Sequence, residues 1–397
     1  MEKSENINIL TKANLQLGYF INQILENKMK LIKYLITFLI LFPTLARANW
    51  EYDSYGSIVG AYGFMDTSSD YPKHKDNNSG WGRGEINNSA IYSFNEDASL
   101  SFHLDLMLGL DRELQTYNQG RWGEEAYAIF DSSYGRIMLG QTFNVGAQFY
   151  EGAPMVGVFQ NNNDIADFIH NPNWRRNSKQ TKFATLNAAY INTDGVAPKI
   201  TYVSPEIQGT AIGFSYVPDS YNRRGLINNH ANYSSKDGYI AAIYTNQEYK
   251  GLDINATTAF AEFHDDDKEF SASLQLEYGN WTLGGGWRKT YIEGKDNLQK
   301  YDSRLPEFFD GYREGEAWDL GLKYQIGPYE GGISYFSSKA ENSSNQDKVL
   351  SFSNQYQIDK NFDAYFAVAY VDFSGNNDYA PDNNKGYAFV GGIGFNF

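Results

Sequence analysis

The chain has 397 residues, no cysteine, and a formal charge of −15 from 48 acidic and 33 basic side chains. That balance excludes a nucleic-acid partner, which calls for basic patches, and the missing thiols exclude a disulfide framework, a thiolate metal site and a Cys nucleophile. Aromatics reach 16%, with 31 Tyr against 26 Phe, a choice that suits the two interfaces of a membrane-spanning barrel better than an aqueous core.

Met29-Lys30-Leu31-Ile32-Lys33 leads into an apolar run from Tyr34 to Phe42, then Pro43 and Ala46-Arg47-Ala48. A basic start, a short apolar stretch and small residues at −3 and −1 read as a cleavable secretory signal over 29–48, cut after Ala48. Residues 1–28 are polar and unpatterned, as an upstream extension before a true initiator at Met29 would be. Removing 1–48 takes away six basic and three acidic residues, so 49–397 carries −18.

Nowhere does an apolar run reach the roughly 20 residues that a membrane helix requires. Instead the rest of the chain alternates. In Ser99 to Asp111, Leu100, Phe102, Leu104, Leu106, Leu108 and Leu110 share one parity, and Ser101, His103, Asp105 and Asp111 share the other. A strand sends successive side chains to opposite faces, so this segment has one oily and one wet surface. The same alternation predicts strands at 50–65, 82–94, 98–111, 123–131, 136–143, 198–204, 209–217 and 239–248, and again at 252–263, 268–278, 281–290, 315–326, 329–338, 348–358, 361–373 and 385–397. Sixteen strands, an even count, close an antiparallel transmembrane β-barrel with both ends of the chain on one side. Tight turns such as Asn95-Glu96-Asp97, Lys250-Gly251, Gly279-Asn280 and Gly327-Pro328 alternate with long connections, of which 144–197 is the longest. Asn228 to Ser235 is assigned to a loop, because a strand there would swap the sides of all later connections. An open edge in hydrocarbon leaves backbone groups unpaired at several kcal/mol each, so the first and last strands are predicted to pair.

Glu125 through Ser132, Ser133-Tyr134-Gly135 and Arg136 through Gln141 resemble the fourth strand, tight turn and fifth strand of general porins from Gram-negative outer membranes. Pro198-Lys199-Ile200-Thr201-Tyr202-Val203-Ser204-Pro205 is similar to the hairpin after their constriction loop, and the aromatic terminus at Phe397 to their last strand. The resemblance in plan covers 49–397. It implies a trimeric outer-membrane channel for small hydrophilic solutes and ions, with 144–197 folded into the lumen and Phe397 read by the barrel-assembly machinery. Outer-membrane lipid and lipopolysaccharide are implied surroundings. Two departures stand out: Gln141 where many relatives carry Arg, and no acidic loop signature of the enterobacterial kind.

Parity turns Arg83, Glu85, Asn87, Arg136, Lys199 and Arg288 toward the lumen, since each lies opposite apolar neighbours. On the lipid side a midplane Arg or Lys costs about 2–4 kcal/mol. Candidate carboxylates facing them across the bore are Glu151, Asp164 and Asp167 on the long loop. Such charges either line a narrow selective point or merely solvate a wide vestibule. Arg175 and Arg176 beside Trp174 read as loop surface or a salt-bridge anchor. Glu262 with Asp265-Asp266-Asp267 reads as a solvated turn, with a divalent-cation site between lipopolysaccharide head groups as the sharper alternative. Gly284-Gly285-Gly286 reads as thin barrel wall packed closely against a neighbouring subunit.

His103 and Asp105 share the wet face, yet no Ser elbow or third partner accompanies them, and no nucleotide or zinc motif occurs. The sequence therefore points to passive transport with no cofactor and no enzyme chemistry. The acidic charge predicts a preference for cations. A substrate-selective channel using loop aromatics Phe149, Tyr150, Phe159 and Phe168 is the alternative, followed by a barrel lipase and a non-conducting adhesion barrel.

Overall fold

A computed structural model describes residues 50–68, 78–109, 125–157, 168–174, 185–218, 237–263, 267–291, 314–341, 343–375 and 383–397. The chain divides into two compact units, 1–51 and 52–397, and the barrel is the second. The signal and extension, the loop assignment for 228–235, and Asp164, Asp167, Arg175, Arg176, Asp265 and Asp266 lie outside the described residues.

Sixteen antiparallel strands close on themselves, each bonded to its neighbours in sequence. They are β1 (Trp50–Thr67), β2 (Asn78–Asn95), β3 (Ala98–Gly109), β4 (Glu125–Ser132), β5 (Gly135–Gln141), β6 (Pro198–Val203), β7 (Thr210–Val217) and β8 (Gly238–Tyr249). Next come β9 (Leu252–Phe263), β10 (Asp267–Tyr278), β11 (Trp281–Tyr291), β12 (Gly315–Ile326), β13 (Tyr329–Ala340), β14 (Gln346–Gln357), β15 (Phe362–Ser374) and β16 (Asn384–Asn396). Every strand predicted from the alternation is present. β2 starts earlier than predicted because Asn78-Ser79-Gly80 is extended without showing any apolar alternation.

The seam between β1 and β16 runs from Ser57↔Asn396 to Thr67↔Gly386. Beyond it Gly56 and Phe397 exchange both backbone bonds, at 2.9 and 3.0 Å. No edge remains for lipid to meet. The tight turns work as their residues dictate. Lys250 and Gly251 both take positive φ, 54° and 78°, the two-residue hairpin geometry that matches strand twist.

The faces separate cleanly. Ile58, Tyr62 and Phe64 on β1 point outward, as do Tyr387, Phe389 and Ile393 on β16. Inward positions carry Ser, Thr, Asn and charged groups, with two apolar patches. One patch joins Val59, Met65, Phe336, Val371, Phe373 and Val390 of the wall to Phe168, Ile169 and Leu186 of the 142–197 connection. The other joins Val217, Ile240, Ala261 and Phe263 to Val145 and Ile191 of the same connection. Apolar side chains on a water-facing wall are stable only when covered, and the long loop covers them.

Candidate functional site

The long loop leaves β5 and turns at once into α1 (Val145–Gln148). Asn144 caps it, its side-chain oxygen accepting from the Ala147 N–H at 3.0 Å while its amide donates to Asp194 at 2.6 Å. From there the loop crosses the inner wall strand by strand. The Val145 N–H donates to Ser215 on β7 at 3.0 Å, and Thr257 on β9 donates to the Phe149 carbonyl at 2.6 Å. On β10, Ser273 accepts from the Glu151 N–H at 3.2 Å and Gln275 donates to the Gly152 carbonyl at 3.1 Å. Asp319 on β12 then takes the Tyr150 hydroxyl at 2.6 Å and the Ala153 N–H at 3.0 Å. Burial first, then the Asp319 charge, pushes the Tyr150 phenol well above its ordinary range, so it remains a donor.

Glycines clear this track. A Cβ on Gly213 would collide with Val145, one on Gly284 with the Gly152 carbonyl, one on Gly286 with the Tyr150 hydroxyl, and one on Gly332 with Val156. For Gly284 and Gly286, this corrects the reading of Gly284-Gly285-Gly286 as a subunit contact. Gly284 and Gly286 face inward and seat the chain's own loop.

The returning half of the loop is held as firmly. Asp347 on β14 receives Asn171 at 2.8 Å, Asn173 at 2.6 Å, and the Thr185 hydroxyl. Asn384 on β16 donates to the His170 carbonyl at 2.9 Å.

Two of the sequence-derived pore cations belong to this clamp, which corrects their assignment. Lys199 is fully buried, paired to Asp194 at 3.1 Å and donating to the carbonyls of Thr142 and Gly195. Arg288 is 2% exposed. It donates to Glu269 at 2.7 Å, Asn192 at 2.7 Å and Thr193 at 2.8 Å. Parity correctly turns both side chains inward, but the loop returns over them. Neither can meet a passing solute.

The other candidates keep open faces. Arg83 on β2 pairs with Glu85 at 3.0 Å, and Asn87 donates to the same carboxylate at 3.2 Å. Arg136 on β5 grips Asp131 through two nitrogens, at 2.7 and 3.3 Å. It stands beside the tight Ser132 to Gly135 turn, at the short-turn mouth of the barrel. Glu151 projects from the loop's first half. Burial, then the negative charge of Glu277, raises its pKa above the ordinary glutamate value.

Two wall carboxylates escaped the sequence reading as pore residues, and one of them, Glu125, accepts the Thr142 hydroxyl at the start of the long loop at 2.5 Å. Asp105 on β3 and Glu125 on β4 are directly cross-strand, and Asn87 flanks Asp105 on β2. Like charges placed opposite one another are destabilising in a sheet, so their pairing here is a cost to the fold. Beside them the His103 ring stacks on Tyr127, with centroids 4.8 Å apart, and shares a 2.8 Å hydrogen bond with Ser101. The signal for Asp105, Glu125 and Asp319 is the same wet-side parity that turns Glu85 inward. No cluster able to hold a metal ion occurs among the described residues.

The fold recurs in solved structures. OmpF of Salmonella typhi, in complex with daunomycin, is 16% identical, covers 87% of this chain and 97% of its own, and superposes with a TM-score of 0.56. An anion-selective porin from Comamonas acidovorans is 12% identical over 88% of this chain and 100% of its own, TM-score 0.55. The trimer form of OmpT, an outer membrane protein of Vibrio cholerae, is 12% identical over 88% and 100%, TM-score 0.54. No curated protein sequence matches the chain. A family model for Gram-negative porins matches residues 36–376. With its closed barrel of sixteen strands, this chain belongs to the Gram-negative porins, channel proteins of the outer membrane.

Proposed function

We propose that the protein is a passive, water-filled diffusion channel that prefers cations, narrowed by the loop between β5 and β6. The observation that carries the sign of the preference is the state of the lumen charges. Arg83 and Arg136 are each held by a carboxylate within 3.0 Å, and Lys199 and Arg288 are covered. Among the described residues Asp105, Glu125, Glu151 and Glu277 stand in no such pair, and one inward cation, Lys323 on β12, stands in none either, so the carboxylates outnumber it. A bore lined by uncompensated carboxylates concentrates cations. Family membership does not decide this, since the Comamonas relative is anion-selective.

The pore-lining set we assign is Arg83, Glu85, Asp105, Glu125, Arg136 and Glu151, with Asp164 and Asp167 retained as loop candidates. A homotrimer, the form in which OmpT of Vibrio cholerae was captured, is the assembly we assign, and the signal over 29–48 is its route to the periplasm. Planar-bilayer recording under a salt gradient tests the proposal. A reversal potential on the cation side is expected, reduced in the double variant Asp105→Asn, Glu125→Gln. Anion preference in the unmodified channel overturns it. Saturable block by one solute would favour a substrate-selective channel instead.

A further inference from the structure

Beyond the signal the chain carries Met65, Met107, Met138 and Met155. Three of these are sheltered. Met65 and Met138 are each 6% exposed, and Met107 on β3 is half-buried. Met155, on the loop between β5 and β6, is 54% exposed.

Its direction follows from its neighbours. Tyr150 and Ala153 are bonded to Asp319 on β12. A Cβ on Gly321 of β12 would crowd Ala153 and Pro154, and one on Gly332 of β13 would overlap Val156. Gly157 passes close to Tyr365 on β15. The residues on both sides of Met155 thus lean on the inner wall, and within 153–157 Met155 is the exposed one. Away from the wall lies the bore. On the strands, exposed aliphatic side chains such as Leu104, Ile212, Leu320 and Ile393 belong to the lipid face. Standing in water, Met155 gains nothing from burial, but its thioether offers chemistry that a Leu lacks. In a chain without cysteine the thioethers are the groups most open to oxidation, and exposure decides which of them reacts.

We propose that Met155 is an oxidant-modified site, converted to its sulfoxide by hypohalous acid entering the bore, and that the sulfoxide throttles passage. In this reaction the sulfur gives an electron pair to the halogen. An S–O bond replaces the O–halogen bond, and halide and a proton leave to water. A flexible apolar side chain becomes a polar, chiral one. The added oxygen binds water on a side chain whose flanks, Pro154 and Val156, are packed against Gly321 and Gly332 and cannot draw back. The open cross-section beside the loop therefore shrinks. Sulfoxide reductases reverse the change, so the throttle resets. The inference rests on the water-filled bore and is independent of the sign of the ion preference.

The test records single-channel conductance of the folded porin before and after hypochlorous acid, and weighs the peptides of the same sample. A loss of conductance is expected, with one oxygen gained by the peptide carrying Met155 ahead of those carrying Met65, Met107 or Met138. Treatment with the two methionine sulfoxide reductases, one for each epimer, should restore the conductance. Met155→Leu, which nearly conserves volume, should be indifferent to the oxidant. Met155→Gln, polar from the outset, should show the lowered conductance without it. Oxidation of Met107 before Met155, unchanged conductance once Met155 is oxidised, or an equal loss in Met155→Leu overturns the proposal. Silence before any oxidant is added is a failure of the channel reading itself and takes this inference with it.

Discussion

Arg136 and Arg288 are both lumen-side arginines, and their neighbours give them opposite tasks. The Arg136–Asp131 pair is roughly half exposed, and exposed pairs contribute about 0–1 kcal/mol. Arg136→Ala should therefore leave thermal stability nearly unchanged while freeing the Asp131 charge, shifting the reversal potential further toward cations. An unmoved potential removes Arg136 from the pore. Arg288→Ala would instead leave Glu269 buried and unpaired, a change that costs about 3–5 kcal/mol. A large drop in the unfolding temperature of the folded barrel is expected there, and a change of only a degree or two would refute the clamp. Glu151 gives the pH dependence. Its raised pKa means that the charge it places in the lumen is present at high pH and is lost as pH falls, before an ordinary glutamate near about 4.3 would protonate. Cation preference should begin to weaken on the alkaline side of that value, and Glu151→Gln should abolish this early component in a pH series of reversal potentials.

Alternation made the strands legible because a barrel wall in lipid leaves little freedom: a one-residue slip sends every Leu of β3 into water. The loop was not legible in the same way. Its contacts are hydrogen bonds and close approaches to residues more than a hundred positions away, such as Tyr150 with Asp319 and Gly152 with Gln275. No local period encodes those partners. The inward glycines of β7, β11 and β13 were the available signal, visible as gaps on the wet parity but without a stated occupant. Gly284→Val is expected to push the loop off the wall into the bore, lowering single-channel conductance and costing on the order of 1–3 kcal/mol as overpacking does. Gly60→Ala is the control: a Cβ there meets nothing within 4 Å. Equal effects from the two substitutions would deny the glycine track its role.

At the scale of the whole barrel, the proposed preference for positive ions rests on lumen carboxylates without cationic partners. That effect is electrostatic and therefore screened. The Debye length shrinks from about 10 Å at 0.1 M salt to about 3 Å at 1 M, so the permeability ratio should fall toward unity across that range while the open channel persists. A ratio independent of salt would mean that close coordination, and not the field of the bore, selects the ion.

The tethered loop has a further consequence for where traffic runs. Its described attachments are to β4, β7, β9, β10, β11, β12, β14 and β16, and Trp81 of β2 joins the same apolar patch as Phe168 and Ile169. Asn87, His103, Asp105 and Tyr127 carry none of these described attachments, whereas Glu125 does. Changing Asn87 or Asp105 would retune passage without loosening a described tether, whereas Glu125 is at once a lumen charge and a fastening of the loop, so mechanics and discrimination meet in that one side chain.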